Sequence, residues 1–184
     1  MTAQRHSAII QALHWLIALG IFSSYALGLG LEEFPRGAPR NLVTMLHASL
    51  GLLGLALTLL LALWRLIIPG LPRLEGNPMI QRLARLAHWG LYAAMLAVPL
   101  LGLGMMWLKG RAVMVLGLFT LPSPFSANRG LGEQMEGLHE VGAHALLALV
   151  GLHAAAAVFH NIVLQDGGLL RMLPRSGPFR YPRG

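Results

Sequence analysis

Four long stretches of this chain contain no Asp, Glu, Lys or Arg, and they constrain its fold more than any other feature. They are His6–Leu31, Asn41–Trp64, Leu86–Leu108 and Val141–Gln165. Each is longer than the roughly 20 apolar residues that a helix needs to cross a bilayer. Because the backbone of a segment in lipid must satisfy its own hydrogen bonds, the stretches predict four membrane-spanning helices.

The composition leaves little sequence for a soluble domain. The chain has 184 residues, of which 55% are hydrophobic and 11% are charged, whereas a soluble domain has about 25% charged residues. We predict an all-α, integral membrane four-helix bundle that forms a single domain over residues 1–184. The predicted helices cover about residues 7–30, 42–66, 80–107 and 137–163, and a basic tail follows over 167–184.

The net charge of +7 is distributed unevenly along the chain. With four spans both termini lie on one side, and that side has nine basic residues against five on the other. The positive-inside rule therefore predicts that both termini are cytoplasmic. The excess charge indicates membrane topology and attraction to anionic lipid headgroups, and does not favour nucleic-acid binding.

The sequence contains no cysteine. Disulfides, cysteine-ligated iron–sulfur clusters and thiolate haem ligands are therefore excluded.

Two histidines of the fourth predicted helix lie on one face. His139 and His153 are fourteen residues apart, which at about 100° per residue is roughly 40° short of four full turns. At roughly 1.5 Å per residue they are about 21 Å apart along the helix axis. Two imidazoles on one stripe, near opposite ends of an apolar helix, suggest two redox centres stacked across a membrane.

Two further histidines match these in depth. His14 on the first helix and His153 both fall in the cytoplasmic half, whereas His47 on the second helix and His139 lie near the outer boundary. Ionisable residues inside spans are rare and usually functional. Two pairs, each from two helices, fit bis-histidine ligation of two b-type haems. One alternative is a zinc site, which would need three or four ligands in one cluster. The other is a non-redox membrane scaffold in which the histidines only pack against their neighbours.

The remaining histidines give weaker signals. His160 follows His153 by seven residues and points the same way, so it is a candidate for a quinone pocket or for contact with a haem propionate. His144 is predicted to face away from the haems. For His88 and His6 we favour an interfacial position.

Several segments resemble the short bacterial cytochrome b561 family over nearly the whole chain. They include Leu13-His14-Trp15, Met45-Leu46-His47-Ala48-Ser49-Leu50-Gly51 and Val98-Pro99-Leu100-Leu101-Gly102-Leu103-Gly104-Met105-Met106. The most specific are Leu138-His139-Glu140, which continues to Gly151-Leu152-His153-Ala154-Ala155-Ala156-Ala157, and Leu169-Leu170-Arg171-Met172-Leu173-Pro174-Arg175 in the tail.

The resemblance implies a four-helix bundle of the bacterial inner membrane with two haem b groups. It implies that His14 and His153 ligate the cytoplasmic-side haem, and that His47 and His139 ligate the periplasmic-side haem. It also implies electron transfer between periplasmic superoxide and membrane ubiquinone, with His160 at the quinone site. At that site the family also uses a lysine in the loop between the second and third helices. In this chain Arg73 is the nearest basic candidate for the same role in quinone binding.

The leading hypothesis is therefore a superoxide:ubiquinone oxidoreductase. Basic residues at the outer rim are candidates for steering the superoxide anion: Arg36, Arg40, Lys109, Arg111 and Arg129. The alternative is a haem b electron-relay subunit that passes electrons from a periplasmic dehydrogenase partner to quinone. A docking partner would distinguish the two.

Overall fold

Four long helices form the chain in a computed structural model that describes residues 5–68, 71 and 77–173. They are α1 (Ala8–Leu29), α2 (Ala38–Ile67), α3 (Pro78–Leu108) and α4 (Arg129–Ile162). Short 3₁₀ helices cover Gly30–Glu33 and Leu169–Met172. All four α-helices are long and apolar enough to cross a membrane. The prediction of an all-α membrane four-helix bundle is confirmed.

The fourth helix begins eight residues before the predicted start at Gly137. The side chain of Asn128 caps it by accepting a hydrogen bond from the N–H of Leu131 at 3.1 Å. The added turns carry Arg129, Glu133 and Glu136. Because the helices are predicted from stretches without charged residues, the prediction assigns these turns to a loop. At roughly 1.5 Å per residue, the 34 residues of α4 extend about 50 Å, well beyond the hydrocarbon core.

The helices pack chiefly as two antiparallel pairs. α1 packs mainly against α2 and α3 against α4; α2 also contacts α3, whereas α1 and α4 touch little. Ile10, Leu13, Ile17 and Leu61 form the buried core of the first pair, and Leu91, Val98 and Leu146 that of the second. Ile21 and Met95 pack against both cores. Most other large apolar side chains are exposed, as expected for a surface that faces lipid.

A small β-hairpin follows α3 in the loop that leads to α4. Strand β1 (Val113–Val115) pairs antiparallel with β2 (Phe119–Leu121), and Val113 lies opposite Leu121. The hairpin lies against α2, where the N–H of Leu116 donates to Ser49 Oγ at 2.8 Å. We call this end of the bundle the hairpin end.

The opposite end, which we call the termini end, joins the start of the chain to its last described segment. The N–H of His6 donates to the carbonyl of Arg171 at 3.0 Å. The side chain of Gln11 donates to the same carbonyl at 3.2 Å, and Trp15 Nε1 donates to the carbonyl of Met172 at 2.9 Å. The beginning of the predicted tail, residues 169–172, is thus an ordered strap across α1.

Candidate functional site

At the hairpin end, α2 and α4 bring the rings of His47 and His139 close together. The ring centres are 5.9 Å apart and the ring planes are at 88°. Two imidazoles that bind one metal ion from opposite sides, through bonds of about 2 Å, have ring centres roughly 6 Å apart. The spacing therefore fits one metal ion between the two rings.

Each ring of this pair is held by the main chain of the preceding helix. His47 Nδ1 is 2.8 Å from the carbonyl oxygen of Ser24 on α1, and His139 Nδ1 is 2.8 Å from that of Val98 on α3. A carbonyl only accepts hydrogen bonds, so each Nδ1 carries the proton. Nε2 of each ring is then left with its lone pair, which is the form that binds a metal.

A glycine lies four residues after each of these carbonyls. A Cβ atom on Gly28 would be 3.1 Å from His47 Cε1, and one on Gly102 would be 2.9 Å from His139 Cε1. The two histidines are therefore accommodated by the same local arrangement, which repeats in the two helix pairs. Sequence reasoning missed this role, although both glycines lie in apolar spans where glycine permits close approach.

A cavity of about 700 Å³ surrounds the pair and is lined by all four helices. This is within the range of roughly 300–1,000 Å³ that ligand pockets occupy. Gly20, Gly51 and Gly54 lie in its wall, and a Cβ atom on any of them would have open space around it. These glycines leave open space beside His47, and the donor set and the space fit the expected haem.

At the termini end, three histidines lie close together. The rings of His14 and His153 have centres 6.2 Å apart with planes at 60°. The ring of His88 on α3 is 5.3 Å from that of His153, with planes at 68°. His88, for which we favoured an interfacial position, thus contacts a proposed haem ligand, because the helical turn of α3 that carries it packs against α4.

The environment of this group is built from side chains. The indole of Trp15 contacts the ring of His14 edge-on, with centres 5.3 Å apart, and the strap holds that indole through Met172. In the part of the chain that the structure describes, neither His14 nor His153 is bonded to a main-chain carbonyl. The spacing of His14 and His153 still fits a metal ion between them.

His160 lies in the last turn of α4, at the termini end of the bundle. Its Nδ1 is 2.5 Å from Asp166 Oδ2. Sequence reasoning singled out His160 but not Asp166, which follows the helix in the loop. Arg73, the other quinone candidate, lies outside the described residues.

A second cavity of about 770 Å³ lies at the hairpin end, and four of the five proposed steering residues line it. They are Arg36, Arg40, Arg111 and Arg129. The fifth, Lys109, lies apart from it and pairs with Glu136 at 2.5 Å. The cavity shares wall residues with the one around the histidine pair: Thr44, Ala48, Met106 and Val113.

His144 differs from its predicted position. It lines the same cavity as His47 and His139, and its Nδ1 is 2.7 Å from the hydroxyl of Tyr25 on α1. His144 lies on a different side of α4 from His139, as the helical spacing predicts. The cavity nevertheless extends to that side, which faces α1. The resulting hydrogen bond joins two helices that otherwise touch little.

Comparison with known proteins gives consistent matches over nearly the whole chain. The model of the prokaryotic cytochrome b561 family matches residues 5–175. "Probable superoxide oxidase CybB" of Yersinia pestis is 30% identical over 173 residues, which cover 94% of this chain and 97% of that protein. "Cytochrome b561 homolog 2" of Escherichia coli (strain K12) is 29% identical and covers 95% of this chain and 94% of its own length.

A third relative gives the same family. "Cytochrome b561 homolog 1" of Escherichia coli (strain K12) is 32% identical over 168 residues, which are 89% of this chain and 93% of that protein. Four apolar helices, paired histidines at two levels and these matches agree. The chain therefore belongs to the prokaryotic cytochrome b561 family, and it is a bacterial multi-pass membrane protein that binds haem b and transfers electrons.

Proposed function

We propose that this protein is a superoxide:ubiquinone oxidoreductase of the bacterial inner membrane, with both termini in the cytoplasm. In this proposal, His47 and His139 hold one haem b at the periplasmic side, and His14 and His153 hold a second at the cytoplasmic side. The haems supply reversible one-electron transfer when they are bound. The protein positions them, brings superoxide to one end and brings ubiquinone and protons to the other.

The observation that carries the proposal is the convergence of four arginines on one cavity beside the His47–His139 pair. Superoxide is an anion, and a concave site with cationic walls raises its local concentration. The shared wall of the two cavities brings this arginine cavity next to the paired imidazoles. A 30% identical relative named as a probable superoxide oxidase supports the same substrate.

Two of the four arginines make local contacts. Arg40 donates from Nε to the carbonyl of Phe34 at 2.9 Å and from Nη2 to that of Glu32 at 3.0 Å. Arg129 pairs with Glu133 at 3.1 Å. His47 and His139 would both be used to hold the haem, so superoxide would only have to approach the site and give up one electron, leaving as oxygen.

The two proposed haem positions divide the path across the membrane. His139 and His153 are about 21 Å apart along α4 at roughly 1.5 Å per residue. Two superoxide anions supply two electrons, and ubiquinone takes two electrons and two protons to form quinol. His160 is our candidate for hydrogen bonding to the quinone, with Arg73 as the basic candidate in the neighbouring loop.

The test supplies purified protein with enzymatically generated superoxide and a short-chain ubiquinone, and measures quinol formation. We expect superoxide to accelerate quinol formation, and increasing salt to reduce the rate because steering is electrostatic. Reversing the charge of Arg36 and Arg111 should reduce the rate by 10-fold or more, on the order expected for lost steering. The matched control reverses two charges outside both cavities, at Arg82 and Arg85 near the start of α3.

Quinol formation that superoxide does not accelerate would overturn this proposal. If the same preparation also contained a co-purifying periplasmic dehydrogenase that reduced the haems, the electron-relay alternative would replace it.

A further inference from the structure

His160 and Asp166 form a hydrogen-bonded pair at the termini end of α4. His160 Nδ1 lies 2.5 Å from Asp166 Oδ2, and the other oxygen, Oδ1, accepts from the N–H of Gly168 at 2.8 Å. The two oxygens therefore have separate partners. The side chains are 29% and 18% exposed, so the pair is largely shielded from solvent, where such a hydrogen bond is strong.

The chain after α4 turns back to make this contact. The helix ends at Ile162, and Gln165 and Gly167 then take positive φ angles of 50° and 71°. The N–H of Asp166 donates to the carbonyl of His160 at 3.3 Å, which closes the turn. A non-glycine residue with positive φ is uncommon and costs free energy. The turn at Gln165 therefore places Asp166 against His160 at some cost to the backbone.

The contact determines which nitrogen of His160 carries its proton. A carboxylate accepts the hydrogen bond, so Nδ1 bears hydrogen and Nε2 is the nitrogen left for a ligand. An isolated histidine would have no such preference between its two nitrogens.

We propose that Asp166 is a positioning residue of the quinone site. It orients His160 so that this histidine can deliver a proton to the quinone. This rests on the function proposed above. In the reaction, ubiquinone accepts two electrons that arrive through the protein and two protons. The Nε2–H bond of the His160 imidazolium breaks as an O–H bond forms on one quinone oxygen, while the Nδ1–H of His160 stays hydrogen-bonded to Asp166. The second proton comes from cytoplasmic water.

The test follows oxidation of chemically pre-reduced protein by a short-chain ubiquinone in a stopped-flow instrument, so that superoxide plays no part. The variants are D166N, D166E, H160Q and the double variant D166N/H160Q. We expect D166N to lower the limiting rate at saturating quinone by about 10- to 100-fold, as for other residues that orient a functional histidine. The half-saturating quinone concentration should change little, and D166E should recover part of the rate.

The double variant separates positioning from folding. If Asp166 acts through His160, D166N should cause no further loss in an H160Q background. Asparagine can still accept from the N–H of Gly168, so the turn is retained. An unchanged limiting rate in D166N, or an equal loss in both backgrounds, would overturn the proposal. The haem absorbance of every variant, compared with wild type, reports whether the bundle is intact.

The wild-type protein reports on the proposed function itself. Reduced wild-type protein that ubiquinone does not oxidise would show that quinone is not the acceptor. A wild type that reacts, with a D166N variant that reacts equally fast, would show that only the role of Asp166 is wrong.

Discussion

At the hairpin end, each imidazole is tied to the main chain of the preceding helix, whereas at the termini end the imidazoles contact one another and the indole of Trp15. His47 and His139 each donate to a carbonyl at 2.8 Å and lie against a glycine. The ring centre of His153 lies 6.2 Å from that of His14 and 5.3 Å from that of His88. The first pair is therefore positioned by backbone geometry, and the second group by side-chain packing and the strap.

This difference has a consequence for how the two ends respond to substitution. A site positioned by backbone atoms has one arrangement, and the other histidine that lines its cavity, His144, is held by the hydroxyl of Tyr25. A site with a third imidazole in contact has a neighbouring donor. We therefore expect the hairpin end to be intolerant of change and the termini end to be adaptable.

The largest expected effect is the loss of a ligand. His47→Ala should remove the haem of the hairpin end, so that haem content falls to about half of the wild-type value, because no other histidine lies on α2. His14→Ala should retain part of the second haem, because His88 lies 5.3 Å from His153. The measurement is haem per chain together with the low-spin electron paramagnetic resonance signal.

The control is the double variant His14→Ala/His88→Ala, which should lose the second haem completely. Equal haem content in the His14 and His47 single variants would remove the distinction between the two ends.

The next effect tests the glycine contact. Gly102→Ala places a Cβ atom 2.9 Å from His139 Cε1, and should destabilise the folded holoprotein by about 1–3 kcal/mol, as overpacking does. Gly137→Ala is the matched control on α4, since nothing lies within 4 Å of its Cβ position. Thermal unfolding followed by haem absorbance gives both values. Equal unfolding temperatures would show that the glycine is not required for the position of His139.

A smaller effect is expected from the strap. Trp15→Phe keeps an aromatic ring beside His14 but removes the hydrogen bond to the carbonyl of Met172, which is worth about 1 kcal/mol. Hydrogen exchange at residues 169–172 should become faster, while exchange near His139 stays unchanged. Faster exchange at both ends would mean that the two ends are coupled through the bundle.

The smallest effect concerns pH. Burial, followed by the positive charges of Arg65 and Arg171, holds the pKa of His6 below its ordinary value. The detached N-terminus therefore binds a proton more readily than the docked one, so docking weakens as the pH falls through about 6.5 and is unaffected above it. The protection factor of the strap amides, which is the intrinsic exchange rate at each pH divided by the observed rate, should be lower at about pH 5 than at about pH 8, and His6→Asn should reduce this difference. A pH response that survives in His6→Asn would assign it to another group.

Part of the candidate site was predictable from single residues and their spacing. Histidines in uncharged helices are few, and a helical period of 3.6 residues sets both their depth and their face. The four proposed ligands and His160 were found in this way. The charged start of α4 was not, because its glutamates interrupt the uncharged stretch although the backbone remains helical from Arg129.

Other parts depended on contacts between residues that are distant in sequence. His88 reaches His153, Tyr25 reaches His144, and Arg36 and Arg129 line one cavity. Local patterns carry no information on which helix lies beside which at a given depth. Asp166 is close to His160 in sequence, but only the turn through Gln165 and Gly167 brings their side chains together.

By itself, the sequence determined four membrane-spanning helices, the depths of their histidines and the family, because uncharged length and helical period are local properties of a chain in lipid. The tertiary structure decided how each histidine is held. The carbonyls of Ser24 and Val98 and the glycines that follow them act on histidines of another helix. Such contacts form only when two helices pack at one register, and that register depends on the complete set of interhelical contacts.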